Sequence, residues 1–190
     1  MDSAHSAWVM LSSCRFLMQS ARKSQGAMAK KSNNETKRPK VPRSPKPSSS
    51  TTTKVMKANK RSNTKPELLV RKRLREAGLT GYRLHWKVPG SPDIAWPRKK
   101  VALFINGCFW HRCPHCNLPM PKSNVEYWTV KFDLNKERDE RKIHELEEAG
   151  WKVHAIWECQ LKKKTIDKTF EELLPILADE LNKSLLVATD

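Results

Sequence analysis

The sequence has no hydrophobic run of membrane-spanning length and no convincing secretory signal. No window approaches the roughly 20 apolar residues that a transmembrane helix needs. The mildly apolar residues 7–18 are interrupted by Ser12, Ser13 and Arg15 and carry no clean small-residue cleavage site. These absences argue against a membrane protein and favour a reducing compartment, in which cysteines bind metal more often than they form disulfides.

Acidic residues are scarce relative to basic ones. The chain has 20 Asp and Glu against 37 Lys and Arg in 190 residues, a formal charge of +17. Residues 1–60 hold 13 basic and 2 acidic side chains, and residues 61–190 hold 24 and 18. This surplus favours a polyanionic partner, most simply nucleic acid. For residues 1–60 alone, a tail that only keeps the protein soluble is an equally good interpretation.

The composition divides the chain into two parts. Residues 1–60 show no sustained hydrophobic period, and residues 37–53 are almost entirely Pro, Ser, Thr, Lys and Arg. Such a segment buries too little apolar surface to offset the entropy of ordering. We therefore predict a disordered basic extension at residues 1–60 and one folded domain at residues 61–190.

The folded part predicts an α/β domain with a mixed central sheet flanked by helices. Thr64 as N-cap, Pro66 in the first turn and Gly78 at the end predict a helix over residues 65–77, whose buried stripe is Val70, Leu74 and Ala77. Three strands of a meander follow, at residues 82–86, 92–96 and 101–105. One or two helices, a further strand that adds parallel to the sheet and a closing helix with a bend or break at Pro175 come next, at residues 124–149, 151–157 and 165–181.

Four cysteines are spaced as metal ligands. Three of them lie in the loop after the third strand and one lies at the end of the last strand: Cys108, Cys113, Cys116 and Cys159. Four converging thiolates suit a tetrahedral Zn²⁺ that ties the loop to the last strand. His115 lies between two of the cysteines and is an alternative ligand. Buried free cysteines that act as small hydrophobic residues are the other interpretation.

Asp93 follows Pro92 at the start of a predicted strand. Many nucleases present a metal-binding carboxylate at such a position, although Pro-Asp is also frequent in turns. Residues 101–107 supply neither the acid nor the lysine that usually accompanies it. The remaining parts would be the carbonyl of Ile105 for a metal and His111 for proton transfer. A histidine near cysteines is also often a zinc ligand or a spectator, so its role stays open.

Three aromatic side chains lie outside the sheet pattern, in a charged region: Phe109, Trp110 and Trp128. They are either wedges that separate base steps of DNA or packing around the cysteine loop. Asn135 and Asp139 share a helix face with Trp128, where they either hold metal-bound waters and phosphate or are solvated. Glu67, on the stripe of the first helix, either complements the helix dipole or lies beside a metal.

A set of short motifs runs through the folded part in order. They are NTKPE at residues 63–67, PGSPD at 89–93, GCFWH at 107–111, PKS at 121–123, EYW at 126–128, N-x-x-R-D at 135–139, GW at 150–151 and WEC at 157–159. In order and spacing they resemble the very short patch repair (Vsr) endonucleases, the bacterial T:G mismatch nickases. The resemblance covers about residues 61–161 and leaves residues 1–60 outside it.

The resemblance implies a fold and a reaction. The fold would be restriction-endonuclease-like with a structural Zn²⁺, and the substrate would be double-stranded DNA with a T:G mismatch left by deamination of 5-methylcytosine. One strand would be cut 5′ to the thymine by Mg²⁺-dependent hydrolysis. We expect a cytoplasmic, nucleoid-associated monomer that does not bind membranes and works with other mismatch repair proteins.

The resemblance also implies residue roles. Asp93 and the Ile105 carbonyl would hold Mg²⁺, with two ions in all, and His111 would be the general base with Glu67 in support. Asn135 and Asp139 would orient the magnesium waters. The residues that would intercalate beside the mismatch are Phe109, Trp110 and Trp128.

Two positions depart from the family pattern. Asn106 stands where some members have a histidine, and Cys113 stands where better-known members have a histidine as zinc ligand.

Two other functions remain alternatives: a related nickase for another lesion or sequence context, and a catalytically silent, zinc-stabilised DNA-binding module. Asp93 and His111 argue against the silent module, since a protein that only binds DNA has no use for a metal-binding carboxylate.

Overall fold

The computed structural model describes residues 43–46, 49–60 and 62–186. Its helices are α1 (Ser50–Ala58), α2 (Lys65–Glu76), α3 (Val125–Glu148) and α4 (Ile166–Leu181). Its strands are β1 (Arg83–Leu84), β2 (Ile94–Trp96), β3 (Val101–Asn106) and β4 (Lys152–Trp157). Short 3₁₀ turns lie before β3 and after β4, at Pro97–Lys99 and Glu158–Leu161. Within the described part of the chain, no helix is both long and apolar enough to cross a bilayer.

The four strands form one mixed sheet in the order β1-β2-β3-β4. The pairs β1–β2 and β2–β3 are antiparallel, and β4 adds parallel to β3 after the crossover through α3, as the sequence predicted. Asn106 lies opposite Trp157 in the β3–β4 ladder. The loop after β3 and the turn after β4 therefore start at the same end of the sheet.

Helix α2 begins where local sequence signals place it. The Thr64 side chain accepts a hydrogen bond from the Glu67 amide at 3.4 Å, and its hydroxyl donates to Glu67 Oε1 at 2.9 Å. This reciprocal cap satisfies an amide that the first turn would otherwise leave unpaired. Val70 and Leu74 are fully buried and Ala77 nearly so, which confirms the predicted stripe.

The hydrophobic core lies between the sheet and helices α2 and α4. On β3, Val101, Leu103 and Ile105 belong to this core. Side chains alternate along a strand, so Phe104 faces the other side of the sheet. Helix α3 packs on that side: a Cβ placed on Gly90 would lie within 3.3 Å of both the Phe104 ring and the Cβ atom of Lys142 on α3. The predicted mixed α/β sheet flanked by helices is confirmed.

Three elements differ from the sequence prediction. Helix α1 lies inside the segment 1–60 that the sequence predicts to be disordered, and residues 1–42 and 47–48 of that segment lie outside the described part. Strand β1 is shorter than predicted because His85 has a left-handed backbone (φ 47°), which ends the extended conformation. Helix α4 contains Pro175 without the predicted break. For residues 124–149, where the sequence left one or two helices open, the structure has the single helix α3.

Candidate active site

Asp93 and Ile105 lie next to each other across the β2–β3 pair. The Ile105 amide donates to Asp93 Oδ2 at 2.7 Å, while Oδ1 has no hydrogen-bond donor among the described residues. Burial raises the pKa of Asp93, and the nearby negative charge of Glu67 adds to the rise. The Ile105 hydrogen bond and the charges of His85 and Arg71 act in the opposite direction without cancelling it. The carboxylate is therefore poorly compensated and would gain from a cation.

Glu67 is buried beside this carboxylate and fully engaged by its own helix. Its Oε2 accepts a hydrogen bond from the Asn63 backbone N–H at 2.9 Å and one from the Arg71 guanidinium at 2.7 Å. Arg71 also donates to Asn63 Oδ1 at 2.6 Å, and both members of the ion pair are buried. The structure thus places Glu67 in a capping and ion-pairing position, from which its charge reaches Asp93.

His111 is held by a residue on α3. Its Nδ1 lies 2.5 Å from Asp139 Oδ2, and both side chains are about one quarter exposed (27% and 26%). Burial raises the pKa of Asp139, but the hydrogen bond and charge of His111, together with Arg138 and Lys142, outweigh it and lower the pKa overall. The Nε2 atom of His111 makes no hydrogen bond to a described residue. Asp139 therefore orients the imidazole and leaves one ring nitrogen free.

The loop after β3 brings His111 back towards the strand end. The His111 amide donates to the Gly107 carbonyl at 3.2 Å, so the histidine folds over the residues that directly follow Ile105. The Asn135 amide group donates to the Trp110 carbonyl at 3.2 Å and fixes the same loop from α3. The structure therefore places Asp93, Ile105 and His111 at one end of the sheet.

The four predicted cysteines converge. Their sulfur atoms all lie within 4.8 Å of one another, and the group consists of Cys108, Cys113, Cys116 and Cys159. The sulfurs of Cys113 and Cys159 are 3.7 Å apart, close to the ~3.8 Å between thiolates that bind one tetrahedral zinc at about 2.3 Å each. His115 is exposed and lies outside this group. The geometry and chemistry of the four donors fit a soft metal ion.

The thiols also influence one another's ionisation. Burial, followed by the neighbouring thiol Cys116, raises the pKa of Cys159 to about 11. Burial likewise raises the pKa of Cys108, while hydrogen bonds from Cys159 and Cys108 lower the pKa of Cys116. Four thiolates cannot coexist at this distance without a cation, so the group is a possible metal site that joins the loop after β3 to the end of β4.

The three predicted wedge residues form one aromatic cluster. The centroid of the Phe109 ring lies 5.2 Å from the Trp110 ring centroid and 5.4 Å from the Trp128 ring centroid, and both contacts are edge-to-face. Phe109 also contacts Phe132, which is buried on α3, at 5.3 Å. Trp110 is 37% exposed, so the cluster has a packed base and an accessible tip. Packing is therefore shown at the base of the cluster, and the wedge stays a prediction that concerns its exposed tip.

A lysine lies against this aromatic cluster. The Lys131 ammonium is 5.5 Å from the Trp110 ring and 5.6 Å from the Trp128 ring, and it donates to the Tyr127 hydroxyl at 2.8 Å. The same hydroxyl lies 2.9 Å from Ser44 Oγ. Burial raises the pKa of Tyr127, but Lys131 and Ser44 outweigh it and the pKa is lowered overall. A positive charge thus stands beside the exposed tip.

Sequence reasoning missed several members of the site. Arg71 and His85 influence the charge on Asp93, and Lys131 lies beside the aromatic tip. The i, i+4 spacing of Glu67 and Arg71 on α2 was a usable signal for their ion pair. No spacing rule connects Lys131 to Trp110, because the loop that carries Trp110 has no period.

The chain was compared with families and proteins of known function. A family model described as "DNA mismatch endonuclease Vsr" matches residues 46–118. The type II nicking enzyme V.XorIIP of Xanthomonas oryzae pv. oryzae is 41% identical over 109 residues, 56% of this chain and 79% of that protein. The type II nicking enzyme V.NmeAIP of Neisseria meningitidis is 44% identical over 105 residues, 54% and 74% of the two chains. The DNA mismatch endonuclease Vsr of Escherichia coli K12 is 39% identical over 104 residues, 50% and 66%.

Proposed function

The chain belongs to the DNA mismatch endonuclease Vsr family, and from this premise we propose the substrate and mechanism of its site. As a family member it is an endonuclease that acts on the phosphodiester bonds of DNA. The proposed substrate is double-stranded DNA with a T:G mismatch that arises from deamination of 5-methylcytosine. The proposed product is a nick in one strand, 5′ to the thymine.

One observation carries this proposal: Asp93, Ile105 and His111 lie at one end of the sheet, and Asp139 holds His111 by one nitrogen only. A DNA-binding module needs neither a partly buried carboxylate with a free oxygen nor an oriented imidazole. The mixed sheet with helices on both faces supports a restriction-endonuclease-like domain, which corresponds to residues 61–190 in our division of the chain.

Asp93 and the Ile105 carbonyl would hold catalytic Mg²⁺. The donor set fits, because Mg²⁺ takes oxygen ligands and retains several waters. Asp93 Oδ1 has no donor among the described residues, and burial raises the pKa of this carboxyl group. When bound, two Mg²⁺ ions would supply positive charge to the attacking and leaving oxygens of the phosphodiester. Glu67 acts as a positioning residue, since it fixes the start of α2 beside Asp93.

His111 serves as the general base in this proposal. With Nδ1–H donated to Asp139, Nε2 carries the lone pair that takes a proton from the attacking water. Asp139 keeps the ring in that tautomer and stabilises the imidazolium that forms. Asn135 holds the loop through the Trp110 carbonyl. Asn135 and Asp139 would orient the magnesium waters through Oδ1 of each side chain, since their contacts to the loop use Asn135 Nδ2 and Asp139 Oδ2.

We propose Zn²⁺ for the cysteine group, as a structural ion that fixes the loop of His111. Zinc analysis of the purified chain should give about one Zn²⁺ per molecule. Cys159→Ser should lower that content and the thermal midpoint together, because the loop loses its tie to β4. Cys14→Ser removes a thiol outside the group and is the matched control. Equal zinc content in both variants would contradict the assignment.

The aromatic tip is proposed to intercalate beside the mismatch. Phe109, Trp110 and Trp128 form a wedge with a packed base, and weak pairing at T:G lowers the cost of unstacking there. Lys131 beside the tip would contact phosphate as the wedge enters.

The function is tested by nicking of T:G, U:G and fully paired duplexes with Mg²⁺ and with EDTA. We expect Mg²⁺-dependent cutting of the T:G duplex alone. Asp93→Ala should lower the rate by about a thousandfold with DNA binding retained, because the metal carboxylate is lost. Asp133→Ala, an exposed aspartate on α3, is the matched control and should cut normally.

Three outcomes would overturn the proposal. Undiminished cutting by Asp93→Ala would exclude the metal site. Preferred cutting of U:G or of paired DNA would indicate a related nickase for another lesion or context. Tight binding to T:G without cutting under any divalent metal would indicate a silent DNA-binding module.

A further inference from the structure

A cavity of about 380 Å³ lies away from the proposed active site. Its lining includes Trp96 at the end of β2 and Thr80 and Gly81, which precede β1. Trp96 pairs with Val101, the first residue of β3, whereas Asp93 precedes the other end of β2. Trp96 follows Asp93 by three residues, about 10 Å along an extended chain. The cavity therefore lies at the opposite end of the sheet from Asp93.

The walls of the cavity include two indole rings. Trp96 is held in place, because its Nε1 donates to the Thr80 carbonyl at 3.3 Å and its ring meets Tyr82 edge-to-face at 5.7 Å. Trp86 is 39% exposed and has no ring contact with another described aromatic residue. One indole is thus fixed and buried, and the other offers a free aromatic face to a ligand.

The charges around the cavity are all positive. They belong to Arg83, Arg98, Lys99 and Lys183. No acidic side chain lines the cavity, and none of the four forms an ion pair with a carboxylate in the described part of the chain. Lys183 donates to the Thr80 carbonyl at 2.7 Å, which holds its ammonium at the opening. Four cations without counter-charges concentrate a positive potential at one place.

We propose that this cavity is a second nucleic-acid site, which takes a short segment of single-stranded DNA with one base on Trp86 and the two phosphates that flank it on the cations. An aromatic face beside uncompensated cations is the combination by which proteins bind single strands without sequence preference. The volume lies within the range of pockets that enclose ligands of this size. The site goes beyond the proposed function, since it requires neither a mismatch nor cutting.

Two classes of ligand offer negative charge beside a flat ring, single-stranded DNA and an acidic protein segment. An acidic protein segment with an aromatic side chain satisfies the same chemistry, but the enzyme acts on DNA, and DNA is therefore the ligand that the observations favour.

Binding of a short fluorescein-labelled oligo(dT) to the full chain tests the proposal, by anisotropy over a salt series. Trp86→Ala should weaken binding about tenfold, whereas Trp86→Phe should retain most of it, because stacking needs only an aromatic face. Arg98→Gln with Lys99→Gln should flatten the slope of log K against log[salt] by about 1.4, about 0.7 for each phosphate contact in a single strand. Thermal midpoints confirm that the variants are folded.

The matched control is Arg75→Gln with Lys168→Gln, which removes the same charge from two exposed positions elsewhere. Its salt slope should stay at the wild-type value. Nicking of a mismatched duplex by Trp86→Ala should also stay unchanged, so failure of this site is distinguishable from failure of the proposed function. Equal salt slopes for the two double variants, or unchanged binding by Trp86→Ala, would overturn the proposal. The proposal would also be overturned, in favour of a protein partner, if the cavity variants weakened binding of an acidic peptide that contains tryptophan but left oligo(dT) binding unchanged.

Discussion

Two side-chain pairs, each with one carboxylate, lie at the proposed site and differ mainly in exposure. In the first, Glu67 and Arg71 are 2.7 Å apart with side chains 6% and 9% exposed. In the second, Asp139 and His111 are 2.5 Å apart and about one quarter exposed. The oxygens of Glu67 are all used by α2 and its cap, whereas His111 keeps a free ring nitrogen. The buried pair therefore maintains the fold, whereas the partly exposed pair leaves Nε2 of His111 available for the proposed chemistry.

Removal of the His111 side chain tests this contrast most directly and should have the largest effect. His111→Ala should lower the nicking rate by about a thousandfold, because no other described base has an oriented free nitrogen in the loop. Its thermal midpoint should change little, since the side chain is partly solvated. Single-turnover nicking measures the first effect and thermal unfolding the second.

The control for His111 is His144→Ala, an exposed histidine on α3 that pairs only with Glu148. It should leave the rate unchanged. A nicking rate for His111→Ala within threefold of wild type would assign the base to another residue.

Removal of Glu67 should have the opposite profile. Glu67→Ala leaves Arg71 buried without its partner, and loss of one member of a buried pair costs about 3 kcal/mol of unfolding free energy. Urea unfolding measures this loss. The rate per folded molecule should fall far less than in His111→Ala, because Glu67 reaches Asp93 only through its charge.

Glu76→Ala is the matched control for Glu67. It breaks a surface pair with Lys72 on the same helix and should cost below about 0.5 kcal/mol. If Glu67→Ala were as stable as Glu76→Ala but inactive, Glu67 would belong to the chemistry and the contrast between the two pairs would fail.

Asp139→Asn should give the smallest effect, about a tenfold loss of nicking, because the amide still contacts the ring but no longer stabilises its charge. The pKa of Asp139 lies below its ordinary value of 3.8 in the folded protein. A lowered pKa means that the ionised carboxylate stabilises the fold above that ordinary value and that this contribution is lost as the pH falls through the folded pKa.

Thermal midpoints over an acid titration measure this contribution. The difference between wild type and Asp139→Asn should be constant near neutrality and shrink below about pH 4. A difference that instead grows with falling pH would have the wrong sign for an ionised Asp139.

Elements with strong local signals were predictable from the sequence. Thr64, Pro66 and Glu67 determine the start of α2 through capping, and the long helical segment before residue 151 implied that β4 adds parallel to β3. Helix α1 was missed because its Ser and Thr residues show no apolar period. The end of β1 was missed because nothing in the sequence signals a positive φ at His85.

The residues that converge in the structure were predictable from the sequence, but their contacts were not. The spacing of the cysteines predicted their convergence, since four soft donors have few other uses. The hydrogen bond between His111 and Asp139 joins a loop without period to the middle of a helix, and a helix face alone does not identify its partner. Glu67 was predictable as a buried acid, but its engagement by Asn63 and Arg71 depends on side-chain geometry.

The tie between Cys108 and Cys159 gives the enzyme an order of assembly. The first three sulfurs and the histidine are synthesised before α3, and the fourth sulfur follows only after β4. A nascent chain on the ribosome that lacks β4 therefore holds this loop through α3 alone, by Asp139 and Asn135. In the proposed function, the loop of His111 therefore gains its last anchor only late in translation.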